Sequence, residues 1–255
     1  MQNSKLFVSV AVAISAIVGI SAASAADMAV KARPLPVPVP VYGWTGCYLG
    51  VEGGGNWGRT STTAVSGTTS VGLPLTADYD LSGAIAGGTA GCNYQTGQFV
   101  FGIEGDVSWT DKRGTTFDIP PFNTTTTTSL RERWFDTIRG RVGWAWDKVL
   151  IYGTAGGAFA DTRTDVCDIR PVCVSDSQTR SGWTAGAGVE FAAWQNWSVK
   201  LEYLHADFGH KNYIDPPVTI GGGTFRTRSV GLTDDLVRVG VNYRFGWGSP
   251  VVAKY

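Results

Sequence analysis

Apolar and polar residues alternate most regularly near the end of the chain, at residues 236–245. This stretch reads Leu-Val-Arg-Val-Gly-Val-Asn-Tyr-Arg-Phe. Apolar side chains from Val237 to Phe245 share one face, and polar residues or glycine share the other. Alternation with a period of two predicts a β-strand with one apolar and one polar face. Such a strand near the chain end can pair with the first strand, which closes a sheet without leaving an open edge.

Seven further segments carry strand patterns. Alternation is clearest in residues 99–109 and 134–146. Both faces of residues 149–160 are fairly apolar, so the pattern does not show which face of that strand points inward. The chain is therefore predicted to be all-β, an eight-stranded antiparallel barrel with up-and-down connections. In chain order, the predicted strands span residues 46–58, 82–94, 99–109, 134–146, 149–160, 183–191, 197–203 and 236–245.

The predicted connections alternate between short and long. Short turns lie near Gly97, Asp147 and Asn196. Outer-membrane barrels have short periplasmic turns and long external loops, so this asymmetry predicts that both ends of the barrel domain face the periplasm. The long connections are predicted at residues 59–81, 110–133, 161–180 and 209–235.

The distribution of charge indicates which face of the barrel meets lipid. A soluble barrel of the lipocalin type also alternates, but its apolar face points inward. Here the polar faces hold equal numbers of acids and bases, which suits pairing inside a narrow lumen, and the apolar faces end in aromatic residues typical of membrane interfaces. These features favour a transmembrane β-barrel. The predicted lumen charge network comprises Glu52, Glu104, Asp106, Arg139, Arg141, Glu190, Lys200, Glu202, Arg238 and Arg244.

The N-terminal segments predict export. Residues 1–25 combine an early lysine, a short apolar run and small residues before Ala25, which is typical of a cleaved signal peptide. Residues 26–43 form a proline-rich periplasmic linker, with a docking peptide for a periplasmic partner as the alternative. The barrel is assigned to residues 44–248 and a short tail to residues 249–255. The predicted location is the outer membrane of a Gram-negative bacterium.

Composition supports a barrel and argues against a nucleic-acid partner. The chain has 21 basic and 21 acidic residues, so it lacks the excess positive charge that binds phosphate backbones. Its 34 glycines fit a narrow barrel interior, and its 10 tryptophans suit the boundary between water and lipid.

Several stretches together resemble the small porin-like outer-membrane β-barrel proteins of alphaproteobacteria, the surface antigen and hemin-binding protein family of rhizobia, Brucella and Bartonella. The resemblance covers nearly the whole mature chain. It implies membrane residence, and because the family includes surface antigens, porins and hemin-binding proteins it leaves the activity open. The stretches that carry it are residues 25–31, 42–50, 139–144, 150–157 and 239–245.

Four cysteines in an exported chain predict two disulfides. Cys167 and Cys173 lie in one predicted external loop, with free thiols or a metal pair as alternatives. Cys47 begins the first strand and Cys92 lies near the end of the second, so antiparallel pairing brings them to the same level on the periplasmic side. The alternative for this second pair is two lipid-facing free thiols.

Candidate chemistry is limited to the external end of the seventh predicted strand. An enzyme site could lie only among His205, Asp207, His210 and Ser229. The chain lacks a nucleophile-elbow motif, so we expect no enzymatic activity. We also expect no resident cofactor and no metal site. His205, His210 or Tyr213 could serve as an axial ligand for hemin.

The expected function is therefore a structural or porin-like role in the cell envelope. The alternative is a surface receptor that captures hemin, or a host or envelope partner, through its external loops. Expected partners are outer-membrane lipid and lipopolysaccharide, with small solutes or hemin as candidate ligands.

Overall fold

The computed structural model describes residues 42–66, 70–122, 124–167, 173–214 and 227–245. The predicted signal peptide, all but the last two residues of the predicted linker, and the predicted C-terminal tail lie outside these ranges. Within the described ranges, no helix is long and apolar enough to cross a membrane.

The described residues form nine strands, and every pairing between them is antiparallel. The strands are β1 Gly46–Ser66, β2 Tyr79–Thr96, β3 Phe99–Thr110, β4 Arg113–Phe117, β5 Thr127–Trp146, β6 Val149–Cys167, β7 Cys173–Ala192, β8 Trp197–Ile214 and β9 Thr227–Phe245.

The strands close into a ring of eight. β1 pairs with β2 on one side and with β9 on the other, beginning with Cys47 opposite Phe245. The short β4 continues β3 after a break at residues 111–112, and both strands pair with successive parts of β5. β3 and β4 therefore occupy one position in the ring, which confirms the eight-stranded barrel and the closing role of the last strand.

Tight turns join the strands at the periplasmic end. The β2–β3 turn places Gly97 at a φ of 60°, and the β5–β6 turn places Asp147 at a φ of 50°. Two-residue hairpins need positive φ, and glycine and aspartate are among the residues that adopt it most readily. These two turns, and a third connection at residues 193–196, lie where the sequence predicted them.

The strands extend further on the external side than the alternation predicted. For example, β6 continues to Cys167 and β7 begins at Cys173, although residues 161–180 were predicted to form a loop. The other three predicted long loops are also partly strand. This part of the prediction was wrong because, beyond the lipid, the outer face of a strand is polar and the inner face mixes polar residues with apolar ones such as Leu130 and Val230. Alternation then disappears while the backbone hydrogen bonds continue.

The distribution of side chains is the reverse of that in a water-soluble barrel. Large apolar side chains such as Ile103, which is 69% exposed, cover the outer surface, whereas charged side chains such as Arg139, 2% exposed, lie inside. The exposed apolar side chains form a band around the barrel, which we call the apolar band. Aromatic side chains lie near its two ends, as expected at the two interfaces of a membrane. The exposed aromatic residues include Trp57, Trp109, Trp144, Trp146, Trp183, Phe191, Trp197, Tyr203 and Phe245.

Candidate functional site: a filled barrel lumen

Strand register brings opposite charges together inside the barrel. Glu104 of β3 lies directly opposite Arg139 of β5, and Glu202 of β8 lies opposite Arg238 of β9. Because inward side chains recur at every second residue, a single register places whole rows of charges in the lumen. The barrel walls thus carry a layer of paired ions at the same depth.

Arg139 is a centre of this layer. Its guanidinium nitrogens lie 2.7 Å from Glu104, 2.9 Å from Asp106 and 3.0 Å from Glu202. Its Nε donates to the Thr137 hydroxyl at 2.8 Å. The side chain of Arg139 is excluded from water, so these contacts replace its hydration.

Arg238 and Lys200 complete the centre of the layer. Arg238 contacts Glu52 and reaches Asp106 at 2.9 Å and Glu202 at 2.7 Å. The ammonium of Lys200 lies 3.0 Å from Glu52. Two cations share each of Glu52, Asp106 and Glu202, and these contacts link β1, β3, β5, β8 and β9 across the lumen.

Two tyrosines that the sequence did not assign to the network belong to it. Tyr48 donates to Glu104 at 2.6 Å and accepts from Arg141 at 2.9 Å. Arg141 also contacts Glu190 at 2.8 Å and lies 3.8 Å from the centre of the Tyr152 ring. Tyr48 shares the phase of the other inward residues of β1, so alternation could have found it. Tyr152 lies in the strand that alternation could not orient.

Glycines on the inner wall leave room for these rings. A Cβ at Gly91 would lie 2.4 Å from the Tyr48 hydroxyl, and one at Gly188 would lie 2.5 Å from the Tyr152 hydroxyl. Part of the glycine excess therefore accommodates large polar side chains in a narrow lumen.

Arg244 lies apart from the network with which the sequence grouped it. Its guanidinium donates to the carbonyl of Gly43 and, at 3.3 Å, to that of Gln195, and it lies 4.3 Å from the centre of the Tyr42 ring. It therefore ties the chain before β1 to the periplasmic end of the barrel.

A second buried ionic cluster was missed entirely. Lys112 contacts Asp234 and lies 2.7 Å from Glu132, and all three side chains are excluded from water. The sequence placed these residues in external loops, where no inward phase could be assigned. Because the strands extend further and β3 breaks before β4, these three side chains point into the lumen near its external end.

Apolar side chains fill the lumen on both sides of the main ionic layer. Trp44 lies in the cluster at the periplasmic end, and its indole N–H donates to the carbonyl of Asp147 at 3.1 Å. Phe135 and Leu236 lie in the cluster on the external side. The lower cluster comprises Trp44, Val100, Ala145, Leu150, Tyr152 and Ala192.

The candidate hemin ligands are not gathered into one site. The Nδ1 atom of His205 lies 2.9 Å from Asp235, on the outer surface, and its ring packs on Trp183. His210 is exposed, whereas Tyr213 is buried in the lumen, where its hydroxyl accepts from Arg180 at 3.1 Å.

The carboxylate next to His205 is Asp235 of β9 and not Asp207, which is two residues away in the chain. Asp207 instead accepts the backbone N–H of Gly209 at 2.8 Å, and Ser229 lies on β9 opposite Asn212. Among the described residues, no group of three or more histidine, cysteine, aspartate or glutamate side chains could hold a metal ion.

Both predicted disulfides are present. Cys47 and Cys92 are directly opposed in the β1–β2 register, with a Cα separation of 3.9 Å, and they lie on the outward face near the periplasmic end. The second disulfide joins Cys167 to Cys173 at the external ends of β6 and β7.

The family model of the outer membrane protein beta-barrel domain matches residues 76–245, most of the closed ring. The chain belongs to this family. Relatives within it are outer-membrane proteins, which confirms the resemblance and the location in the outer membrane. The 31 kDa outer-membrane immunogenic protein of Brucella melitensis biotype 1 is 30% identical over 80% of this chain and 85% of its own length. The 22 kDa outer membrane protein of Rhizobium leguminosarum bv. viciae is 30% identical over 79% of this chain and 78% of its own length.

Solved outer-membrane barrels share the fold of this family member. The outer membrane protein OprG from Pseudomonas aeruginosa matches with a TM-score of 0.50 and 10% identity, over 80% of this chain and 100% of its own. The outer membrane protease OmpT from Escherichia coli matches with a TM-score of 0.50 and 9% identity, over 78% of this chain and 97% of its own. At such low identity these likenesses show the fold alone.

Proposed function

We propose that this protein is a structural barrel of the cell envelope whose lumen is closed to rapid diffusion, and that it has no enzymatic activity. The barrel holds its external loops at the cell surface and contacts outer-membrane lipid and lipopolysaccharide. Any porin-like passage is restricted to slow leakage of small solutes.

The filled lumen is the observation that supports this proposal. An eight-stranded barrel is only wide enough to be filled by its own side chains. Here Arg139 and Arg238 bridge carboxylates from several strands, and the Trp44 cluster lies below them. Ions crossing the barrel would have to displace buried ion pairs, whose separation leaves uncompensated charge.

Conductance of the purified barrel in planar lipid bilayers tests the closed lumen. We expect no stable, defined conductance steps when insertion is verified by protease protection and when a general-diffusion porin conducts in the same bilayers. Reproducible unitary steps from the wild-type protein, absent from preparations of unfolded protein, would contradict the proposal.

Capture of hemin by the external surface remains the alternative. His205 is engaged by Asp235, Tyr213 points into the lumen, and His210 is the one exposed member of the three. A spectrophotometric hemin titration distinguishes the two functions. Saturable binding that is lost in His210→Ala or His205→Ala supports capture. Unsaturable partitioning of hemin that is equal in the wild-type protein and both variants supports the structural role.

A further inference from the structure

Three arginines form a row on the outer surface of the barrel. Arg113 of β4 is directly opposed to Arg131 of β5, and Arg131 is directly opposed to Arg163 of β6. All three side chains are exposed and point away from the lumen. We call these three residues the arginine row.

The arginine row lies just above the apolar band. Trp109 and Trp134 are directly opposed at the external edge of that band. Arg131 lies three residues beyond Trp134, and one of the three is taken up by a bulge, so the remaining rise is about 7 Å at roughly 3.3 Å per residue. Tryptophan marks the boundary between lipid and water, which places the guanidiniums at the depth of the lipid headgroups.

Directly opposed like charges destabilise a sheet, so the row needs negative charge nearby. The Ser175 hydroxyl donates to Asp165, and Arg163 lies 3.1 Å from it; the hydrogen bond from Ser175 and the nearby guanidinium hold the pKa of Asp165 below its ordinary value. Asp111 approaches Arg113 only to 3.8 Å. Arg131, in the middle, has an arginine directly opposite on each side.

The surrounding patch keeps a positive charge after these pairs are counted. Arg133, below the row, pairs with Asp161 at the edge of the band. Four arginines thus face three aspartates (Asp111, Asp161 and Asp165), which leaves one net positive charge centred near Arg131.

We propose that the arginine row binds the phosphate groups of lipopolysaccharide in the outer leaflet. This inference rests on the proposed residence of the barrel beside that lipid and adds the site of contact. A guanidinium matches a phosphate through two parallel hydrogen bonds, and three adjacent strands spread the row over about 10 Å, at roughly 4.8 Å per strand. A ligand at this depth can place its acyl chains against the apolar band and its phosphates against the row.

Titration of the folded barrel in detergent micelles with fluorescently labelled lipid A tests the site. The two ligands are lipid A with both phosphates and the same lipid after enzymatic removal of its phosphates. We expect Arg131→Gln to weaken binding of the phosphorylated lipid about tenfold, which is the loss of about one charge-assisted hydrogen bond. Binding of the dephosphorylated lipid should be unchanged.

Two further variants serve as controls. Arg59→Gln removes an exposed arginine of β1 that pairs with Asp80, outside the row, and should change affinity less than twofold. Arg131→Lys keeps the charge but loses the paired donors, and it should retain part of the affinity. Heat-modifiable electrophoretic mobility establishes that each variant is folded before titration.

Equal binding of the two lipids, or equal losses in Arg59→Gln and Arg131→Gln, would overturn the proposal. Displacement of lipid A by inorganic phosphate or by a sulfated polysaccharide at equimolar concentration would reassign the row to a soluble anion. Conductance by the wild-type barrel in bilayers without lipopolysaccharide would overturn only the proposal that the lumen is closed. Failure of that proposal is therefore distinguishable from failure of the lipopolysaccharide site.

Discussion

Replacing Arg139 with methionine tests how the ionic layer stabilises the barrel. Methionine roughly preserves the volume of the side chain but removes the cation that three carboxylates share at 2.7, 2.9 and 3.0 Å. Glu104, Asp106 and Glu202 then remain buried with less compensation. Removing one partner of a buried ion pair costs about 3–5 kcal/mol, and we expect a loss of this size in the free energy of unfolding.

Urea unfolding of the barrel in phosphocholine vesicles, followed by tryptophan fluorescence, measures this loss. Arg59→Met is the matched control, because it makes the same substitution at an exposed position outside the arginine row. A surface change of this kind is expected to alter the free energy of unfolding by no more than about 0.5 kcal/mol.

A second substitution identifies the cause of the loss. Adding Glu202→Gln to Arg139→Met removes one of the uncompensated carboxylates and should recover about 1–3 kcal/mol, the coupling expected between residues in contact. The reasoning is refuted if Arg139→Met costs no more than Arg59→Met, or if Glu202→Gln destabilises the wild-type and Arg139→Met proteins equally.

The same unfolding assay checks three other expectations. Gly156→Ala places a methyl group 2.0 Å from the backbone oxygen of Ile138 and should be far more destabilising than Gly157→Ala, whose nearest contact is 3.8 Å; equal effects would contradict the described packing. Replacing Cys47 and Cys92 with serine should cost about 2–4 kcal/mol, and non-reducing peptide mapping of the exported protein should recover the two residues linked. Ile103→Arg puts a charge on the lipid face and should cost about 2–4 kcal/mol; tolerance in vesicles would argue against that orientation.

The alternation of side chains was sufficient to predict much of the membrane-embedded barrel. Within the lipid, one face of each strand must be apolar and the other faces a polar interior, so the sequence itself records the orientation. Glu104, Arg139 and Arg238 could therefore be assigned to the inner wall, and the shared outward phase of Cys47 and Cys92 made their pairing predictable.

Only the tertiary structure decided what lies beyond the lipid and how the inner charges are partnered. Above the band the outer face of a strand is polar and the inner face mixes polar and apolar residues, so Lys112 and Glu132 carry no periodic signal, and their burial depends on the break between β3 and β4. Tyr152 was hidden for the opposite reason, because both faces of β6 are rich in apolar and small residues. Alternation fixes which face a side chain occupies, but contacts across the lumen depend on register and closure, which bring together residues far apart in the chain.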